Sequence, residues 1–154
     1  MKEAAAEHRP VLARIAALDI GDRRIGVAIS DGLGLTAQPL LTYNRSSKKG
    51  DAGRDAKSLL RLLRKAECRG IVVGLPLHLS GDAGRSAEKV RGFVELLRAE
   101  TELPIEFWDE RLSTTAAHEV LDAAGHAVRG REAIIDQVAA VLILESYMTS
   151  KRHV

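Results

Sequence analysis

The sequence predicts an α/β fold: one domain with a mixed five-stranded sheet and helices on both of its faces. Three observations carry this. Residues 13–20, 24–30 and 35–43 read as strands joined by connections of a few residues, short enough to make them antiparallel neighbours. The two later strands each follow a segment with apolar residues at helical spacing, which is how parallel crossovers read. The chain then carries two further helical segments, giving the order β-β-β-α-β-α-β-α-α.

Residues 13–20, ARIAALDI, form an apolar run broken only by Arg14 and Asp19, and Gly21-Asp22 supply a turn. Residues 24–30, RIGVAIS, alternate Ile25, Val27 and Ile29 with the small Gly26 and Ala28, a period of two. After a turn at Asp31–Gly34 comes 35–43, LTAQPLLTY. Its Pro39 has no N–H for a ladder and predicts an edge strand or a bulge. Residues 44–53 are a polar loop. Residues 54–67 place Ala56, Leu59, Leu60, Leu63 and Ala66 on one helical face. Gly70 precedes IVVGL, an apolar run without alternation, as expected of a strand buried on both faces.

A loop over 76–84 leads to a second amphipathic helix, 86–99, with Ala87, Val90, Val94 and Leu97 on one side. Pro104 opens the last strand, PIEFW. Ser113 or Thr114 can cap a third helix carrying Ala117, Val120, Leu121 and Ala124, and Gly125 can end it. Residues 126–131, HAVRGR, form a basic loop. From about Glu132 to Met148 runs a helix that is apolar nearly all round, suited to packing on the sheet.

The chain has 154 residues. A chain of about 150 residues buries roughly 68–70% of its unfolded surface, enough for a core of its own. We assign the domain to 13–149, with 1–12 as a flexible leader and 150–154 as a solvated tail. With 45% hydrophobic residues but only 3% aromatic ones, the core must be aliphatic. The formal net charge of +2 and a sequence pI near 8.9 permit contact with nucleic acid without arguing for it. Cys68 is alone, which excludes an intrachain disulfide and a thiolate zinc cluster; its place before an apolar run predicts a buried small hydrophobe. A reducing, cytoplasmic compartment fits. No apolar run approaches the roughly 20 residues of a membrane span, and the first ten residues lack the core of a secretory signal.

Three acidic positions break apolar segments. Asp19 lies near the carboxyl end of the first strand, Asp109 and Glu110 close the last, and Asp136 falls in the first turns of the apolar helix. Ligand sites in open α/β sheets lie at the carboxyl ends of parallel strands. Each acid has an ordinary explanation: Asp19 as a turn residue, Asp136 as a complement to the helix dipole, Asp109 as a loop acid, and Glu110 as half of an exposed ion pair with Arg111. Taken together they say more. Carboxylates gathered in one place raise one another's pKa unless a cation offsets them, and hard oxygen donors favour Mg²⁺ or Mn²⁺. The histidines make no rival centre: His8 and His153 are near the ends, and His78, His118 and His126 lack short ligand spacing. Gly21, Gly26, Gly32 and Gly34 match neither a dinucleotide fingerprint nor a P-loop.

Four strings then carry a resemblance. LDIGDRRIGVAISDGLGLTAQPL, VVGLPLHLSGDAG, DERLSTTAA and DQVAAVLIL resemble, in order, the motifs of the YqgF (RuvX) family, from about Ile15 to Met148. His78-Leu79 stands where that family often has Asn-Met, and Arg23 where Lys is common; neither departure touches the acids. The resemblance implies an RNase H-like sheet of strand order 3-2-1-4-5, similar to RNase H and the RuvC junction resolvase. It places the family's acidic site on Asp19, on one of Asp109 and Glu110 (Glu110 slightly favoured), and on Asp136. It implies a nuclease that matures the 5′ end of pre-16S ribosomal RNA; a Holliday junction resolvase acting on branched DNA is the alternative within the family.

On that reading Asp19, Glu110 and Asp136, with Asp109 as a further candidate, hold one or two Mg²⁺ or Mn²⁺ ions. Arg24, Arg111 and Arg85 are candidates to grip phosphate. Lys48, Lys49, Arg129 and Arg131, in two basic loops, are candidates to follow the substrate backbone. Two other classes compete. Actin-like and sugar kinases share the core but need two such domains around a nucleotide. A non-catalytic module docking on ribosome precursors needs no acids, yet every acidic position is filled. RNA against DNA, and monomer against homodimer, stay open at this level.

Overall fold

The computed structural model describes residues 14–77, 84–112 and 132–152. The leader 1–12, the helix expected between Ser113 or Thr114 and Gly125, the basic loop with Arg129 and Arg131, and all five histidines lie outside the described residues.

Five strands form one sheet: β1 (Arg14–Ile20), β2 (Arg24–Ser30), β3 (Ala37–Asn44), β4 (Cys68–Leu75) and β5 (Ile105–Asp109). The helices are α1 (Ala52–Lys65), α2 (Arg85–Arg98) and α3 (Glu132–Arg152), with a 3₁₀ turn at Glu110–Leu112. The strand order is β3-β2-β1-β4-β5. β1–β2 and β2–β3 are antiparallel; β1–β4 and β4–β5 are parallel. This is the expected sheet and connectivity.

β3 is an edge strand, and Pro39 sits at its irregularity: Val27 pairs with Leu41 and Ala28 with Pro39, leaving Leu40 as the extra residue. Both expected roles of that proline are thus realised together. β3 starts two residues later than expected. Leu35 and Thr36 belong to the turn instead, where both backbone N–H groups donate to Asp31 Oδ1, at 2.7 and 3.3 Å. β4 starts earlier, at Cys68, because Arg14 of β1 pairs with it.

The alternation of β1 divides the core into two layers. Ala16 and Leu18 face α1 and α2 with Ile25, Val27, Ile71 and Val73; the buried leucines of α1 (Leu59, Leu60, Leu63) fill this side. Each such leucine contributes about 1.5–3 kcal/mol by leaving water. Ala17, Ala28 and Val72 face the other way, against Ala140, Ile143, Leu144 and Met148 of α3. IVVGL is accordingly buried on both faces. Cys68 is buried, and burial pushes its thiol up to about 11, so it behaves as an inert hydrophobe.

α3 extends to Arg152, taking in positions expected to be tail. It has the length and apolarity of a membrane-crossing helix. Its residues Ala140, Ile143 and Leu144 are instead seated on the sheet. It is not buried all round: Ile134 and Val138 are exposed among the described residues. A buried acid, Asp55 of α1, is satisfied by the Tyr43 hydroxyl (3.0 Å) and the Ser46 N–H (3.2 Å), which ties α1 to the end of β3.

Candidate functional site

One row of residues across the sheet builds the site. Asp19 of β1 pairs with Gly26 of β2, and Gly26 pairs with Thr42 of β3. On the other side Leu18 pairs with Val73, so the next step of the parallel ladder sets Gly74 beside Asp19; Gly74 pairs with Trp108 of β5. Asp19 is therefore flanked by two glycines, on the face that carries α3.

Both glycines are required by close approach. A Cβ on Gly26 would overlap the backbone carbonyl of Asp136. A Cβ on Gly74 would lie 2.7 Å from Glu110 Oε1 and 2.5 Å from Ile143 Cδ1. Their lack of side chains lets the start of α3 settle on one side of Asp19 and Glu110 on the other. Hydrogen bonds at both ends hold α3 in place. Near its N-terminus the Thr42 hydroxyl donates to the Ala133 carbonyl (2.5 Å), and Gln137 Nε2 donates to Thr42 Oγ1 (3.0 Å). Further along, Trp108 Nε1 donates to Ser146 Oγ (2.9 Å).

The electrostatics follow from this convergence. Burial, then the negative charges of Glu110 and Asp136, push Asp19 up to about 7. Burial, then Asp109, also raises Glu110. Asp109 goes the other way: hydrogen bonds from Arg111 hold its carboxyl below the usual range. The Asp109 carboxylate accepts from the Arg111 backbone N–H at 2.9 Å and from Nη2 at 2.6 Å. The structure thus separates the two neighbouring acids. Asp109 is engaged by Arg111, and Glu110 is the acid in the field of Asp19.

Arg24 has its Nε 2.6 Å from Asp136 Oδ2. Arg85 opens α2, in the layer opposite α3. Lys48 and Lys49 lie exposed between β3 and α1. No described contact joins these three to the acids. Two cations that the sequence did not single out do reach the β1–β2 turn. Arg45 donates to the Gly21 carbonyl (2.8 Å), and Lys89 pairs with Asp22 at 3.3 Å. The glycine floor was also missed, although both glycines interrupt otherwise apolar strands.

As placed, no three His, Cys, Asp or Glu groups among the described residues stand close enough to enclose a metal ion, and Asp136 is engaged by Arg24. The donor set still suits a hard divalent cation: carboxylate oxygens only, in mutual repulsion that a cation would relieve.

The family described as “RuvX: Holliday junction resolvase” matches residues 13–150. A Clostridioides difficile protein named “Putative pre-16S rRNA nuclease” is 45% identical over 138 residues, covering 90% of this chain and 95% of that protein. A Moorella thermoacetica protein of the same name is 46% identical over 135 residues, 88% of this chain and 94% of that one. Among solved structures, “T. thermophilus RuvC in complex with Holliday junction substrate” has a TM-score of 0.58 at 15% identity, covering 92% of this chain and 96% of its own. That last likeness is one of fold, and it agrees with an RNase H-like sheet.

Proposed function

The chain belongs to the RuvX family, and from that premise we propose that it is a nuclease hydrolysing phosphodiester bonds at the 5′ end of pre-16S ribosomal RNA, with Asp19, Glu110 and Asp136 holding Mg²⁺ or Mn²⁺. The names of relatives more than 40% identical over most of the chain support the substrate class. The observation that carries the site is the position of Asp19. It stands between two glycines, in the field of two other carboxylates, with its own carboxyl pushed up to about 7.

A divalent cation held there would supply positive charge at the scissile phosphate and acidify the attacking water. The chain's own residues do the rest. Asp19, Glu110 and Asp136 gather negative charge on one face of the sheet, and the β-ladders fix Asp19 at its centre. Without a cation, Asp19 holds a proton up to near-neutral pH. Asp109 and Arg111 close the corner after β5 as an ion pair, so Asp109 contributes to the shape of the corner and Glu110 to its charge. Arg45 and Lys89 beside the β1–β2 turn, and Lys48 and Lys49 in the following loop, offer cations to a polyanion approaching that edge.

The test is cleavage of a precursor 16S RNA by the purified protein, with and without Mg²⁺ or Mn²⁺. Cleavage that needs the metal supports the reading; no cleavage under any metal condition, with copurifying ribosome precursors, favours a non-catalytic docking module. The family's own description favours a second substrate, the four-way DNA junction, to be assayed alongside. A resolvase needs two active sites at one junction, so light scattering showing a dimer would favour it.

A further inference from the structure

Arg24 opens β2, and its Nε meets Asp136 Oδ2 at 2.6 Å across 112 positions of sequence. This is the short distance of a charge-assisted hydrogen bond. Neither side chain is fully enclosed: 35% of the arginine and 23% of the aspartate are exposed. Gly26, two residues further along the same strand, seats the backbone of Asp136. β2 therefore both receives Asp136 and supplies the cation on its carboxylate. Glu132, one turn earlier on α3, adds negative charge around the same guanidinium.

An arginine in this position offsets the repulsion between Asp136 and Asp19. It also engages Oδ2 of a carboxylate that a metal ion at this site would share, and its positive charge opposes a cation there. A guanidinium fits phosphate as well as it fits carboxylate, and this one is accessible from solvent. We propose that Arg24 is a displaceable counter-ion: it holds Asp136 in the metal-free protein and passes to a phosphate oxygen of the substrate when a divalent cation takes that carboxylate over. The proposal rests on the nuclease reading and deepens it. Each ligand removes the other's competitor, so metal and nucleic acid favour each other's binding through Arg24, reciprocally. A residue that only gripped phosphate would leave metal affinity unchanged when removed. One that only braced α3 would weaken it.

The experiment is titration calorimetry with Mn²⁺ alone, on the wild type, Arg24→Gln, Arg24→Lys and Arg23→Gln. Arg23 carries the same charge one residue away and is exposed. The expected result is Mn²⁺ binding on the order of tenfold tighter in Arg24→Gln, within the usual range of coupling, with Arg24→Lys in between and Arg23→Gln unchanged. Equal or weaker binding by a folded Arg24→Gln, with the wild type binding Mn²⁺, overturns the proposal alone. Absence of Mn²⁺ binding by all four removes the metal reading and the proposal with it.

A second measurement needs no metal. In EDTA, Asp136→Asn should bind a short RNA duplex more tightly than the wild type, because Arg24 is released, and the gain should vanish in the Asp136→Asn, Arg24→Gln double variant. A gain of equal size in both backgrounds is a simple charge effect and overturns the displacement.

Discussion

Among the described acids, Asp19 is the one pushed furthest from its ordinary range. Its carboxyl is pushed up to about 7 in the folded protein from an ordinary 3.8. Between those values the folded protein holds a proton that the unfolded chain has released. Stability of the metal-free protein therefore falls as pH rises from about 4 to about 7, and the full penalty persists above that. Asp19→Asn should flatten this dependence and raise Tm at pH 8 in EDTA by a few degrees, at ~2–4 °C per kcal/mol for a chain of this size. It should also abolish any rise in Tm on adding Mn²⁺. Thermal melts across pH check both; a pH dependence identical in the two proteins would remove Asp19 from the acid cluster. The neighbouring acids give a second contrast. Glu110→Gln should lower cleavage by about a hundredfold or more, the scale of removing one positioned group. Asp109→Asn should keep cleavage within about tenfold of wild type and cost only the ~0.2–1 kcal/mol of an exposed ion pair. Asp19 was legible because a carboxylate inside LDI has no cheap place in an apolar strand. Glu110 was half legible: it lies two residues after Trp108, which faces α3 through its bond to Ser146, so the alternation does continue past the strand end. The pairing of Arg24 with Asp136 was not, since nothing local links residues 112 positions apart.

The meeting of α3 with the sheet depends on what the strands leave out. In Gly26→Ala the new methyl meets backbone, the Asp136 carbonyl, so the first turns of α3 must lift. We expect a loss of about 1–3 kcal/mol, as for other overpacked positions, together with loss of cleavage. In Gly74→Ala the methyl meets side-chain ends, Ile143 Cδ1 and Glu110 Oε1, which can turn aside. Stability should fall less, while cleavage falls through the displaced Glu110. Denaturant melts and cleavage rates on both variants separate the cases; a larger stability loss in Gly74→Ala than in Gly26→Ala would contradict the packing described. Gly26 and Gly74 were visible in the sequence only as small residues in apolar strands. Their purpose is tertiary contact, Gly26 with Asp136 and Gly74 with Ile143 and Glu110, which no local pattern encodes. The turn from α1 to β4 offers an independent check. Glu67 there has φ of 62°, a left-handed backbone in which glycine is at ease. Glu67→Gly should raise stability by up to about 1 kcal/mol, measured by the same melts.

The molecule as a whole was largely legible because its topology follows from connection lengths. Turns of a few residues force β1, β2 and β3 to be antiparallel, and helix-length crossovers make β4 and β5 parallel to β1. The strand order came through the family resemblance, and the sheet realises it. The amphipathic faces of α1 and α2 announced one layer, and the apolarity of α3 announced the other. That α3 would bury one side and leave Ile134 and Val138 exposed was not evident, because composition does not say how many faces find a partner. Fold alone does not choose a substrate, since one scaffold serves many chemistries; the proposal of phosphodiester hydrolysis rests on the acids and on the names of the relatives. The most direct test is a cleavage assay on precursor 16S RNA comparing wild type with Asp19→Asn, each in Mg²⁺, Mn²⁺ and EDTA. The account predicts cleavage by the wild type with either metal, none in EDTA, and a loss of about two orders of magnitude or more in Asp19→Asn. Cleavage that persists in EDTA, or that Asp19→Asn performs as fast as the wild type, would contradict it.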